Sequence, residues 1–322
     1  MEITKEFIKD DLAVSELVKE IKEKRIEISF SNGRLKFSGP EQYIDKELIR
    51  KLTFFKAKLL KYYWPKDCPN MMPINTEGNK IPFILVHGGP ANYPLSEYFS
   101  VDQPFYGYFY IGSEGEKIKY KSVESFSKEY KNQLQKILPE GPYILGGLSF
   151  GGILAFEMAI QLQNQGFEVP FLILVDCEVP SLVKNSEDGR FQKGLYSLLY
   201  NRLKLVYHWF YFNTRNMLYG LFEIFNIKLP VSYRNSYIRW NYYKLMKIYK
   251  PSVQFNGEVL LFRTEANPSL NEYLGWDLLC NNIQLEMLGG DHTSMYVDKD
   301  SISVFQKRIS EILNNINARN RR

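Results

Sequence analysis

Five short apolar runs dominate the chain beyond its first quarter: IPFILVH (81–87), PFYGYFYI (104–111), YILGG (143–147), FLILVD (171–176) and EVLLFRT (258–264). Strands wetted on one face alternate apolar with polar residues. These runs do not alternate, so they are expected to be parallel strands covered on both faces. Helical periodicity fills 123–138 and 153–165, the latter stopping at Gly166, a good C-terminal cap. A final helix is expected over 300–315, with Ile302, Phe305, Ile309, Ile312 and Leu313 on one face. Strands and helices in alternation specify a doubly wound α/β sheet.

Within this pattern, YILGGLSFGG places a serine directly after one apolar run and directly before a helix. Gly147-Leu148-Ser149-Phe150-Gly151 is a G-x-S-x-G elbow in the strand-to-helix context that gives the pattern meaning. So sharp a turn carries the side chains two positions either side of the serine into the neighbouring strand and helix, hence the glycines. The Ser149 hydroxyl is lifted above the sheet, at a helix N-terminus whose partial positive charge favours a developing anion.

A serine hydroxyl becomes a nucleophile when a base takes its proton, and with this elbow the partners follow in the order serine, acid, histidine. Of the three histidines, His87 precedes the serine and is expected to brace a loop, while His208 lies in an aromatic stretch. His292, in MLGGDHTSM after the strand-like IQLEML, is the expected base. Asp176 ends the apolar run after the elbow helix, where a carboxylate is costly unless the site uses it. It is the favoured acid, with Glu265 in LLFRTEANP, one strand later, as the alternative. Asp291 and Glu178 read as loop charges and Cys177 as a buried bystander. A tetrahedral oxyanion requires two backbone donors. The first is Phe150. The second is expected at Gly89 in His87-Gly88-Gly89-Pro90, because proline has no N–H to donate.

The opening residues differ in character. Leu12, Val14, Leu17, Val18 and Ile21 follow a helical period, and RIEISF and RLKFSG flank SNG, where Asn32-Gly33 suits a tight hairpin turn. Asp45 is expected to cap a second helix through Leu48, Leu52, Phe55, Leu59 and Leu60, stopping near Trp64-Pro65. The expected organisation is a small α+β unit over 1–64, a Pro- and Asn-rich linker over 65–80, and the main domain over 81–318.

Composition narrows the function classes. With 45% apolar and 24% charged residues, wholesale disorder is excluded. The start, MEITKEFIKDDLAVSE, is charged throughout and argues against a secretory signal. No uninterrupted apolar stretch approaches the ~20 residues that span a bilayer, so no membrane span is expected. Cys68, Cys177 and Cys280 lack paired spacing, so neither a disulfide framework nor a metal site is expected, and a reducing cytoplasm fits. Between residues 182 and 250, twelve Lys or Arg stand against three Asp or Glu among seventeen aromatics. Without a nucleic-acid fold signature, this stretch reads as a surface for an acidic protein or a phosphate-bearing arm rather than for nucleic acid.

From about Ile81 to Leu313 the ordered motifs LVHGGP, QPFYGY, GPYILGGLSFGGILAFEMA, LILVD, YKPSVQFNGEVLLFRTE, Gly275-Trp276 and GGDHTSM resemble the thioesterase domains of nonribosomal peptide and polyketide synthetases. The resemblance implies an α/β-hydrolase fold with a helical lid at about 182–250. It also implies Ser149 as acyl acceptor, His292 as base and Asp176 as acid. No cofactor of the chain's own is implied, since the substrate rides on the phosphopantetheine of a partner. Residues 12–62 resemble the TubC-type docking domains of such synthetases, which receive the C-terminal tail of an upstream synthetase as an added β-strand. Lys22, Lys24, Arg25, Arg34 and Lys36 crowd the hairpin, so an acidic tail would be favoured, with Arg25, Arg34 and Lys36 as the partner-binding candidates. No carrier-domain motif with its modified serine is found, so the acyl or peptidyl carrier domain is expected in trans. An editing (type II) thioesterase and a non-catalytic carrier-binding scaffold are the competing expectations.

Overall fold

The computed structural model describes residues 14–31, 34–89, 92–182, 214, 217–222, 224–225, 227–293 and 298–319. The Asn32-Gly33 turn, Pro90, His208 and most of the basic, aromatic stretch between 182 and 230 lie outside them.

The first unit has a core of its own. Helix α1 (14–23) buries Val14, Leu17, Val18 and Ile21, and these pack with Ile26, Leu48, Leu52, Leu59 and Leu60. Strands β1 (Glu27–Ser31) and β2 (Arg34–Ser38) pair antiparallel, Glu27 opposite Ser38 and Ser31 opposite Arg34. Asp45 caps α2 (Lys46–Phe54) by accepting the Leu48 amide at 2.7 Å. The expected single helix is divided: it breaks at Phe55, and α3 (Lys56–Tyr63) begins anew. The Thr53 hydroxyl donates to the Ile49 carbonyl at 2.8 Å, a back-bond of the kind that bends helices, and Phe55 sits at φ −92°, ψ 11°, outside the helical region.

Among the described residues the main sheet has seven strands: β3 (Met71–Asn75), β4 (Phe83–Val86), β5 (Phe105–Tyr108), β6 (Ile144–Leu148), β7 (Phe171–Val175), β8 (Phe255–Thr264) and β9 (Cys280–Leu288). Their order is β3-β5-β4-β6-β7-β8-β9. Only β3 runs antiparallel, against β5; the other neighbouring pairs are parallel. The expected linker over 65–80 is thereby corrected, because it contains the first strand of the sheet. Pro73 disguised it. A residue without an N–H is tolerated at a sheet edge, and β3 is such an edge, its register shifting between Pro73 and Asn75.

Alternate strand residues feed two cores. Ile84, Val86, Leu145, Leu172, Leu174, Val259 and Leu261 face α5 (Val123–Ile137), α6 (Phe150–Asn164) and α8 (Val231–Ile248). Phe83, Leu85, Ile144, Leu148, Ile173, Val175, Leu260 and Phe262 face α4 (Asn92–Ser96) and α9 (Lys299–Arg319). A short helix, α7 (217–222), precedes α8. The result is a three-layer α/β-hydrolase fold. The connection from β4 leads to β5 on one side and that from β6 leads to β7 on the other, so the crevice beyond the carboxyl ends of β4 and β6 is the topological switch point where such sheets bind ligands. Among the described residues, no helix is long and apolar enough to cross a membrane.

Candidate active site

Ser149 stands between β6 and α6 with φ 52° and ψ −123°, a left-handed backbone that ordinary residues avoid and packing must enforce. The glycines on either side make that turn possible. A Cβ on Gly147 would lie 2.1 Å from the Gly151 carbonyl oxygen, and one on Gly151 would lie 2.3 Å from the Val86 carbonyl oxygen. Both obstacles are backbone and cannot swing aside. Replacing Gly151 with Ala is therefore expected to destabilise the protein by about 1–3 kcal/mol, read as a lowered denaturant midpoint at unchanged slope.

The register of the sheet brings the acid to the serine. Leu148 pairs with Val175, and the Ser149 amide donates to the Val175 carbonyl at 2.9 Å, so Ser149 and Asp176 continue neighbouring strands side by side. Asp176 has φ 43°, and its side chain is 1% exposed. It is held from both sides. Its Oδ1 accepts the Thr264 amide at 3.1 Å and the Asn267 side-chain amide at 2.8 Å, both from the end of β8, while Oδ2 accepts Nδ1–H of His292 at 2.7 Å. Burial alone would raise the Asp176 pKa, but the hydrogen bonds from His292, Asn267 and the Thr264 amide prevail and hold it below the ordinary carboxylate value. Glu265, the alternative acid, is exposed, and its amide donates to Leu288.

His292 reaches this carboxylate from the loop after β9, and its side chain stays 49% exposed. With Nδ1–H committed to Asp176, Nε2 is the nitrogen left to accept a proton. Asp291 accepts both the amide and the hydroxyl of Thr293, which shapes the loop carrying the histidine. Cys177 is buried, with its thiol pushed up by burial and by the neighbouring Asp176 charge, and its carbonyl accepts the Trp276 indole N–H at 2.7 Å.

Phe150 begins α6, so its amide is one of the N–H groups a helix leaves without an internal partner. Gly89 has φ 52°, at the loop after β4. His87 is fully buried and kept neutral, its pKa pushed down to about 3 by burial. The Tyr130 hydroxyl donates to the Phe109 carbonyl at 2.8 Å, so its oxygen accepts Nε2–H of His87 at 3.0 Å. The Tyr110 hydroxyl donates to the His87 carbonyl at 3.0 Å. His87 is thus held as a brace between Tyr130 and Tyr110.

Of the docking candidates, Arg25 and Lys36 are exposed, whereas the Arg34 side chain lies outside the described residues. Lys24 is engaged with Glu20 at 2.6 Å. Sequence reasoning missed Asn267 and Thr264, whose only signal was a turn-forming Asn-Pro step after a strand. Among the described residues, no cluster of side chains suited to a metal ion occurs.

A family model for the thioesterase domain matches residues 86–194. Atromentin synthetase of Tapinella panuoides is 31% identical over 134 residues, 40% of this chain and 14% of that protein. Polyketide synthase PksR of Bacillus subtilis is 31% identical over 121 residues, 37% of this chain and 5% of that protein. The chain therefore spans a small part of the curated relatives it matches. Among solved structures, the NocB thioesterase domain from the nocardicin cluster is similar at a TM-score of 0.55 and 21% identity, covering 76% of this chain and 99% of that one. The four-domain nonribosomal peptide synthetase AB3403 is similar at a TM-score of 0.55 and 20% identity, covering 75% of this chain and 20% of that one.

Proposed function

The chain carries a thioesterase domain of the kind found in nonribosomal peptide and polyketide synthetases, and from that premise we propose that it releases an acyl or peptidyl chain from a phosphopantetheinyl carrier through a serine-bound intermediate. The observation that carries this reading is the hydrogen bond from His292 to a carboxylate adjoining the strained serine elbow. Ser149 Oγ attacks the thioester carbonyl while His292 Nε2 takes its proton, and the buried Asp176 stabilises the imidazolium. The oxyanion is met by the amides of Phe150 and Gly89. Collapse breaks the C–S bond, and His292 returns the proton to the departing thiolate. Water, or a hydroxyl or amine of the product itself, then attacks the acyl-enzyme with His292 again as base.

The carrier arrives on another polypeptide in this proposal, and the first unit raises its local concentration by accepting an acidic tail along the hairpin. Exposed Arg25 and Lys36 favour such a tail. In the full chain, reversing both to Glu is expected to raise KM for a tail-bearing acyl-carrier about tenfold at low salt, with no change toward a small acyl-pantetheine thioester. Equal losses on both substrates would reject the docking role, and no turnover of either thioester by the unaltered chain would reject the release reaction.

A further inference from the structure

We infer that Tyr242, on helix α8, is a positioning residue that fixes the two halves of the oxyanion hole relative to each other. The inference rests on the release reaction proposed above, with Phe150 and Gly89 as donors. Those donors belong to segments more than sixty residues apart in the chain, one opening α6 and the other following β4. A hole accurate enough to matter in catalysis needs them rigidly placed relative to each other.

The Tyr242 ring contacts both segments. It stacks on the His87 imidazole with ring centroids 5.3 Å apart and planes inclined by 6°, and on the Phe150 ring at 4.4 Å and 29°. His87 and Phe150 are themselves 6.1 Å apart, and Phe126 closes the cluster against Tyr242 at 5.7 Å. The Tyr242 side chain is fixed at its far end, where the hydroxyl donates to the Ile111 carbonyl at 3.0 Å. Helix α8 is anchored in turn: the Tyr249 hydroxyl just beyond it donates to Glu157 on α6 at 2.8 Å.

This packing bears on strained backbone. His87 has φ 59° and Ser149, beside Phe150, has φ 52°. Such conformations persist only where the surroundings over-determine them. Tyr242 presses on the side chain at one strained position and on the residue next to the other. A leucine here presents no flat face to either ring and leaves part of the buried space empty, so both segments are free to relax.

The test compares Tyr242→Leu with Tyr242→Phe in the full chain. Turnover of an acyl-pantetheine thioester is expressed per active site, the sites being counted by stoichiometric phosphonylation. Tyr242→Leu is expected to lower kcat about 10²-fold, the scale of losing one oxyanion donor, with KM unchanged within about threefold. Binding of an alkyl boronic acid is expected to weaken in parallel. In that adduct Ser149 Oγ bonds to boron, its proton passes to His292, and a boron-bound oxygen occupies the hole. Tyr242→Phe keeps the ring and is expected to restore both quantities to within about threefold of the unaltered chain. A merely structural tyrosine would lower the number of titratable sites and leave kcat per site intact, which would overturn the inference. So would a Phe variant as impaired as the Leu variant. Retention of phosphonylation and turnover by Ser149→Ala would instead remove the proposed reaction itself, a separate failure.

Discussion

Ser149→Ala is expected to lower thioester turnover by at least about 10⁴-fold, the largest effect of any single substitution in this chain. The elbow holds Oγ where the sheet places the acid, since Ser149 is bonded to the residue preceding Asp176. Ala keeps that backbone. Its φ of 52° is imposed by the packing of Gly147 and Gly151 rather than by the hydroxyl, so the fold should be retained. What is lost is the atom proposed to accept the acyl group. The residual rate reports only what the hole and the bound carrier supply to attack by water. Thioester turnover, with circular dichroism as the check on folding, measures this directly.

Asp176→Asn is expected to lower kcat by about 10⁴-fold while leaving KM little changed. The hydrogen bonds dictate why. Oδ1 of Asp176 accepts from two donors, the Thr264 amide and the Asn267 side chain. An asparagine must therefore turn its oxygen toward them, which points its NH₂ at His292. Nδ1 of His292 then becomes the acceptor, the ring proton moves to Nε2, and that nitrogen can no longer take a proton from Ser149. A full kcat and KM analysis, compared with Glu265→Gln, distinguishes the two carboxylates. Glu265→Gln should be nearly silent, because that side chain is exposed.

Ionised Asp176 also links stability to pH. Its folded pKa lies below the ordinary value, so its contribution is complete above the ordinary carboxylate range and is lost as pH falls through the lowered value. The carboxylate is therefore charged throughout the neutral range.

The serine elbow was legible because its requirements are local. A strand, two glycines with fixed spacing and a helix announce the turn without reference to anything distant. The acid was less legible. Asp176 and Glu265 both follow apolar strands, and only the return of the chain after β9 decides which one His292 touches. The edge strand β3 was hidden because Pro73 and its Asn-rich surroundings look like linker, and an edge is where such residues survive in a sheet. The break at Phe55 accompanies a hydroxyl-to-carbonyl bond from Thr53, which periodicity does not register. Least legible was Tyr242. The basic, aromatic stretch between 182 and 250 reads as a surface for an acidic or phosphate-bearing partner, whereas this ring lies against His87, Phe126 and Phe150, all far away in sequence.

The central claim is that acyl transfer passes through one alkoxyl oxygen at the elbow. It is tested most directly by exposing the full chain to an acyl-pantetheine thioester, quenching in acid and locating the added acyl mass by peptide sequencing. A single adduct is expected, an ester on Ser149. An adduct on Cys177 or any other residue, with Ser149 unmodified under turnover conditions, would contradict it.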